Sequence, residues 1–337
     1  MLLGASNVGA TPIHIMQLHG RHNFSLGFKK IAAQWGGSNA GQCCGPAGIR
    51  AARVTGGHMP KSIPRRLRAT WHGILGATAV FVLCGAASVH AEDVKIGGTG
   101  AALGTMRLLA EAYVKSHPST KITVFPSLGS SGGIKAVLSG AIQLGLSSRP
   151  LTEAEVKAGA VGIEYGRTPF VFATSMATKT NDLTTQDLVD IYAGKTEQWL
   201  DGTKIRLVLR PIGDSDSDLI KNISPAMREA TRAAEQRRGM SFTVSDQDTA
   251  NNIENIPGAL GPSTLALLLS EKRHVKVLTF NGIAPDAKSL ADGSYPLYKQ
   301  LLLITSPRTS PAAHAFVAFV RSAAGREILV QTGHWAN

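Results

Sequence analysis

Aspartate and glutamate are absent from residues 1–91, although the whole chain of 337 residues contains 23 of them. Nine of the 35 lysines and arginines lie in that acid-free stretch, which leaves 26 bases against 23 acids, a net +3, in residues 92–337. The basic balance therefore belongs to the leading segment. Nucleic-acid recognition by the remainder would need lysine and arginine clustered among aromatics, and only short pairs such as Arg237-Arg238 occur. Cysteine is also missing after Cys84, so residues 92–337 tolerate an oxidising compartment without using disulfides. Histidine, cysteine and glutamate nowhere fall at transition-metal ligand spacing, and no cofactor is expected. There is no internal repeat and no low-complexity linker.

The leading segment reads as a targeting signal. Lys61, Arg65, Arg66 and Arg68 precede the apolar run GILGATAVFVLCGAASV and then His90-Ala91-Glu92. A basic start, a short core rich in small residues and a small-x-small end describe a secretory signal over residues 59–91, with cleavage expected after Ala91. A membrane anchor is the alternative. Residues 1–58 show no hydrophobic periodicity and stand upstream of this complete signal, so they are expected to be an over-extended, disordered start. The exported part would be periplasmic, and its 246 residues suffice for one ample core or two smaller ones.

From residue 94 strands and helices alternate: VKIGGTG, a helix over 105–116 with Leu108, Leu109, Ala112 and Tyr113 on one face, KITVF, a helix over 133–139, and IQLGLSS. A β-α-β-α-β run with apolar strands predicts a mostly parallel sheet flanked by helices. Ligands of such sheets sit at the carboxyl ends of the strands, beside helix N-termini. Hydroxyls and glycines gather there: Gly98-Thr99-Gly100, Ser127 to Gly133, Ser147-Ser148-Arg149 and, later, Gly213 to Asp218 after KIRLVLRP. Each could simply cap a helix or make a turn; four in series suit an anion.

SLGSSGGIKAV also fits G-x-S-x-G, with Ser131 as a nucleophile, Asp246 or Asp248 as the acid, and His274, His314 or His334 as the base. Against a secreted serine hydrolase, the motif follows only the second strand and no oxyanion-loop glycine run precedes it.

The ordered motifs GTGAALGTMRLLAEAY, SLGSSGGIKAVLSGAIQLGLSSRPL, DIYAGKTEQW, VLRP with its polar loop, PGALG, SYPLY and the closing F-V-x-F-V-x-S-x-x-G-x-E-I-L resemble the phosphate-binding-protein family. These are the periplasmic solute receptors of ABC phosphate importers. The resemblance implies a two-lobed type II periplasmic-binding-protein fold whose lobes are joined by two crossover strands, TPFVFATS and YPLYKQLLLITS. Lobe I would comprise residues 92–172 plus 305–337, and lobe II residues 173–304 with the return crossover. It implies a monomer that clamps inorganic phosphate or a related oxyanion and delivers it to a membrane ABC permease.

Carried onto this chain, the family's contacts fall on Thr99, Gly100, Ser130, Ser131 and Gly132 in the first lobe. Arg210, Ser215 and Ser217 match in the second. Where the family ends its third strand with an aspartate, this chain has Ser148-Arg149. Where its arginine loop runs R-x-x-G-S-G-T, this one runs RPIGDSDSD. The carboxylates of Asp214, Asp216 and Asp218 would oppose an anion unless they cap the helix or one of them accepts a ligand proton. Asp246 or Asp248 could take that role, or the ligand could be a different small molecule with donors and acceptors.

Overall fold

The computed structural model describes residues 92–336; the expected signal and the upstream segment lie outside the described residues. The chain opens with strand β1 (Glu92–Gly98), helix α1 (Leu103–Ser116), strand β2 (Thr120–Val124), helix α2 (Gly129–Ser139) and strand β3 (Leu144–Ser147). β1 pairs in parallel with both β2 and β3, as two βαβ crossovers require. α1 turns Met106, Leu109, Ala110 and Tyr113 inward at the spacing of one helix face. Leu108, expected on that face, is exposed instead. α2 begins four residues before the expected 133, so Ser130, Ser131 and Gly132 form its first turn. A Cβ on Gly133 would lie 2.7 Å from Gly98 Cα and 2.8 Å from Gly97 O. Glycine therefore lets α2 approach the end of β1.

A short helix α3 (Glu153–Lys157), opened by a Thr152/Glu155 capping box, leads into the 15-residue strand β4 (Val161–Ser175). Beyond it come β5 (Asp182–Leu183), α4 (Thr185–Ala193), β6 (Arg206–Leu209), α5 (Ser215–Lys221), α6 (Pro225–Gln236), β7 (Ser241–Phe242), α7 (Asp246–Asn255), β8 (Ala259–Thr264) and α8 (Leu265–Ser270). β9 (Val275–Val277), β10 (Thr279–Phe280), α9 (Ala287–Ala291), β11 (Tyr298–Thr305), α10 (Pro311–Val320) and α11 (Ala323–Gln331) complete the chain. Two helical runs that look continuous in sequence are split. Ser224 caps a new helix with Pro225 at its first position, where the missing N–H costs nothing, and Ser322 caps α11.

Strand order in the main sheet is β2-β1-β3-β11-β4-β8-β6-β7, with β9 also on β4. Pairing is parallel at the outer parts, among β1, β2 and β3 and among β6, β7 and β8, and antiparallel where β11 meets β3 and β4 and where β4 meets β8. β4 carries both halves: residues 161–169 pair with β11 and Phe170 to Thr174 with β8.

The apolar interior divides accordingly. One core gathers Ile96, Met106, Leu146, Leu301, Leu303 and Phe316. Another gathers Phe170, Phe172, Leu188, Tyr192, Leu209 and Met227. Smaller clusters under α2 and under α7 and α8 cover the opposite faces. Each half is thus a sheet covered on both sides, and the strand ends with their polar loops remain for ligands. No helix among the described residues is long and apolar enough to cross a membrane.

Candidate functional site

Three polar loops converge on one serine of a fourth. Ser148, just past β3, places its Oγ 3.2 Å from Thr99 Oγ1, 3.2 Å from Ser130 Oγ and 3.3 Å from Ser215 Oγ. Its backbone N–H donates to Ser130 Oγ at 3.0 Å. Thr99 follows β1, Ser130 opens α2 and Ser215 opens α5, so Thr99, Ser130 and Ser148 come from the β1–β3 half and Ser215 from the β6 half. Thr99 and Ser148 are buried. Hydroxyls rotate to donate or accept, and α2 adds first-turn N–H groups that have no intrahelical partner. Gly100 closes the other side of the first loop: a Cβ there would lie 2.5 Å from both Asp246 Oδ2 and Gln247 Oε1, and Gln247 donates to Gly100 O. Gly132 lies in the first turn of α2 beside Ser130.

Several expected contacts are turned elsewhere. Ser131 accepts from Arg149 Nη2 at 2.9 Å. Arg149 gives its fork to Glu155 at 2.7 and 2.9 Å, and this bond holds the Glu155 carboxyl down at about 2. Asp248 accepts from Ser245 Oγ at 2.6 Å and so serves the N-terminus of α7. Ser217 Oγ donates to Arg210 O at 3.0 Å and fixes the turn between β6 and α5. Asp214 accepts from Asp216 N as the N-cap of α5, the capping role that the aspartate-rich loop allowed.

Arg210 is buried. Its Nε and Nη2 bond to the two Asp214 oxygens at 3.2 and 3.0 Å, and Nη1 donates to Thr243 O at 2.7 Å. Asp216 lies 3.9 Å from Arg210 Nε and contacts Lys299. Lys299 comes from β11 and also donates to Ser215 Oγ at 3.3 Å. Two cations therefore face three carboxylates, those of Asp214, Asp216 and Asp246. Burial, reinforced by Asp246 and Asp214 and opposed by Lys299 and Arg210, pushes the Asp216 carboxyl up to about 6. Burial pulls Lys299 down, but Asp216 and Asp246 outweigh it and keep the ammonium charged.

Lys299 escaped the sequence reading because its partners lie 83 and 84 residues away. A signal was nonetheless present. Strand alternation puts Lys299 on one face with Leu301 and Leu303, both fully buried, and a lysine on an inward face needs a partner.

Residues 85–324 match the family model described as a PBP superfamily domain. The chain belongs to the PBP superfamily. Curated relatives include the phosphate-binding protein PstS of Borreliella burgdorferi, 23% identical over 247 residues (71% of this chain, 88% of the relative). PstS of Bacillus subtilis is 27% identical over 241 residues (67% and 74%). Among solved structures, a candidate phosphate ABC transporter substrate-binding protein from Clostridium perfringens, crystallised with phosphate, superposes with a TM-score of 0.63 at 21% identity, covering 73% of this chain and 100% of the other. An ABC-type phosphate transport receptor from Vibrio cholerae gives 0.53 at 20% identity, covering 72% and 100%. These likenesses bear out the mixed α/β fold of the type II periplasmic-binding class.

The PBP family is one of solute-binding receptors, not of enzymes. Consistent with this, the hydroxyl of Ser131 meets an arginine. His334, one of the bases the hydrolase reading offered, is buried against Leu329 O and Thr332.

Proposed function

We propose that the chain is an exported solute receptor that holds an inorganic oxyanion, phosphate first, between the loops of its two cores and presents it to a membrane ABC permease. The observation that carries this reading is the meeting of Thr99, Ser130 and Ser148 with Ser215 at 3.2 to 3.3 Å. Hydroxyls from four loops satisfy the lone pairs of a small multi-oxygen anion and offer little to an apolar solute. The phosphate-binding relatives and the phosphate-bound structural neighbour support the same ligand class. In this reading the two cores are two lobes, β4 and β11 are the crossovers on which they hinge, and the receptor works as a single copy after cleavage of the segment over residues 59–91.

Purified residues 92–337, stripped of bound ligand, will show a raised melting temperature with phosphate. At a concentration ~100-fold above Kd the gain is about 2.7 kcal/mol. A thermal-shift panel of phosphate, sulfate, molybdate, tungstate and small phosphorylated compounds checks this; no shift with any of them sinks the reading.

Ser148→Ala separates the hydroxyl hub from its neighbour. Losing one hydroxyl that touches three others weakens phosphate binding by ~tenfold, about 1.4 kcal/mol. Ser131→Ala, which removes only an acceptor for Arg149, costs less. Isothermal titration of both variants reads the order, and an equal loss would place Ser131 in the hub as well.

A further inference from the structure

Arg210, the cation that the family pattern points to, has Nε and Nη2 on Asp214 and Nη1 on Thr243 O. Arg149 has its fork on Glu155. Lys299 is different. Its side chain is only 2% exposed, and its ammonium touches Asp216 and donates at 3.3 Å to Ser215 Oγ, itself 3.3 Å from the Ser148 hub. An ammonium has three protons, and two of them face Asp216 and Ser215. The Phe170 ring, 5.8 Å from Nζ, covers another side. A buried ammonium is retained only when paired. Its partner here stands on a helix N-terminus in the other half of the fold, so the pair spans the region where the two sets of loops meet.

We infer that Lys299 is a ligand-contacting cation of the oxyanion site, and that Asp216 is a resident counter-ion whose carboxylate fills the ligand's place on the ammonium until an oxyanion arrives. This rests on the oxyanion reading above. The chemistry is a substitution of like for like: a carboxylate oxygen on Nζ is replaced by an oxyanion oxygen, while Ser215 remains as the shared hydroxyl. Asp214 stays on Arg210. Released from Lys299, Asp216 keeps Arg210 Nε, 3.9 Å away, as its remaining cation, so its charge is not left unpaired beside the ligand. Asp216 is the group best suited to yield, because burial and the nearby Asp246 and Asp214 already disfavour its charge.

The test is calorimetric titration of stripped residues 92–337 with inorganic phosphate, alongside thermal unfolding of every variant. Lys299→Met leaves Asp216 unpaired and is expected to weaken binding by at least ~30-fold, the loss that follows when a buried charged donor to an anion is removed. Lys299→Met combined with Asp216→Asn leaves no buried charge of the pair behind and so guards against misfolding; the same loss is expected there. Asp216→Asn alone removes the competitor and is expected to tighten binding by ~threefold to tenfold. Binding by the double variant within ~threefold of wild type overturns the ligand role of Lys299. A loss in Asp216→Asn as large as that in Lys299→Met overturns the counter-ion role. If wild type itself binds neither phosphate nor any other member of the anion panel, the oxyanion reading fails first and this inference falls with it.

Discussion

Replacing Arg210 by methionine will destabilise the protein by about 3–5 kcal/mol, the range for stripping one partner from a buried ion pair, and will weaken oxyanion binding in the same stroke. The guanidinium is only 4% exposed, and burial alone would disfavour its charge. Asp246, Asp216 and Asp214 outweigh that effect and strengthen its hold on the proton. Methionine keeps much of the volume but leaves those three carboxylates facing Lys299 alone, and it strips Thr243 O of its charged donor. The site's field would then turn against any anion, and affinity should fall by ~100-fold or more. Adding Asp214→Asn should recover part of the stability, because two groups in direct contact couple by about 0.5–3 kcal/mol, without recovering binding. Urea midpoints and phosphate titrations of the single and double variants check both halves. A single variant within about 1 kcal/mol of wild type would mean that solvent screens the cluster far more than its burial implies.

How far such a site can be read from sequence depends on the range of the interactions that build it. The hydroxyl hub was legible because its members are local signals: small and hydroxyl residues at strand ends, in a β-α-β order that brings parallel strand ends together. Thr99, Ser130, Ser148 and Ser215 all lie in the stretches that pattern marks, while the choice of Thr99, Ser130 and Ser215 within them as contacts comes from the family resemblance. The sheet was legible for the same reason, although the amphipathic runs over 219–239 and 312–333 concealed the breaks at Ser224 and Ser322. What the pattern could not supply is which partner wins each charged group. Arg149 sits where a ligand contact was expected, yet Glu155 takes it six residues later, at the end of a Thr-x-x-Glu capping box. Asp248, one of two aspartates that could accept a ligand proton, instead accepts from Ser245, the N-cap of α7. Lys299 and Asp216 meet only because β11 returns through the middle of the sheet. Pairing over that distance leaves no local trace beyond one lysine on an inward strand face.

Acidification provides the second large effect, and it works through His334. This side chain is fully buried, its Nδ1 lies 3.1 Å from both Leu329 O and Thr332 Oγ1, and its ring is 6.1 Å from that of Tyr165. Burial pulls its pKa from 6.5 to about 4, against the two backbone hydrogen bonds that favour the proton. The sign follows from proton counting. Between pH 6.5 and 4 the unfolded chain takes up a proton that the fold refuses, so this stability is present above 6.5 and is lost as pH falls. At pH 4.5 the loss reaches about 2.5 kcal/mol relative to pH 7.5.

Asp216 works the other way. Its folded value near 6 lies above the ordinary 3.8, so its contribution is full below 3.8 and is lost as pH rises through 6. The two slopes oppose each other over much of the same window, and the wild-type pH profile will be flatter than either alone. Variants separate them. His334→Gln keeps a hydrogen-bonding side chain but no proton site, and the gap between wild type and this variant should shrink by about 2.5 kcal/mol from pH 7.5 to 4.5. Asp216→Asn should steepen the acid loss. Urea denaturation at the two pH values gives both differences. A gap that does not change with pH would mean that His334 admits water at its Nε2, which has no partner among the described residues, and titrates as an ordinary histidine.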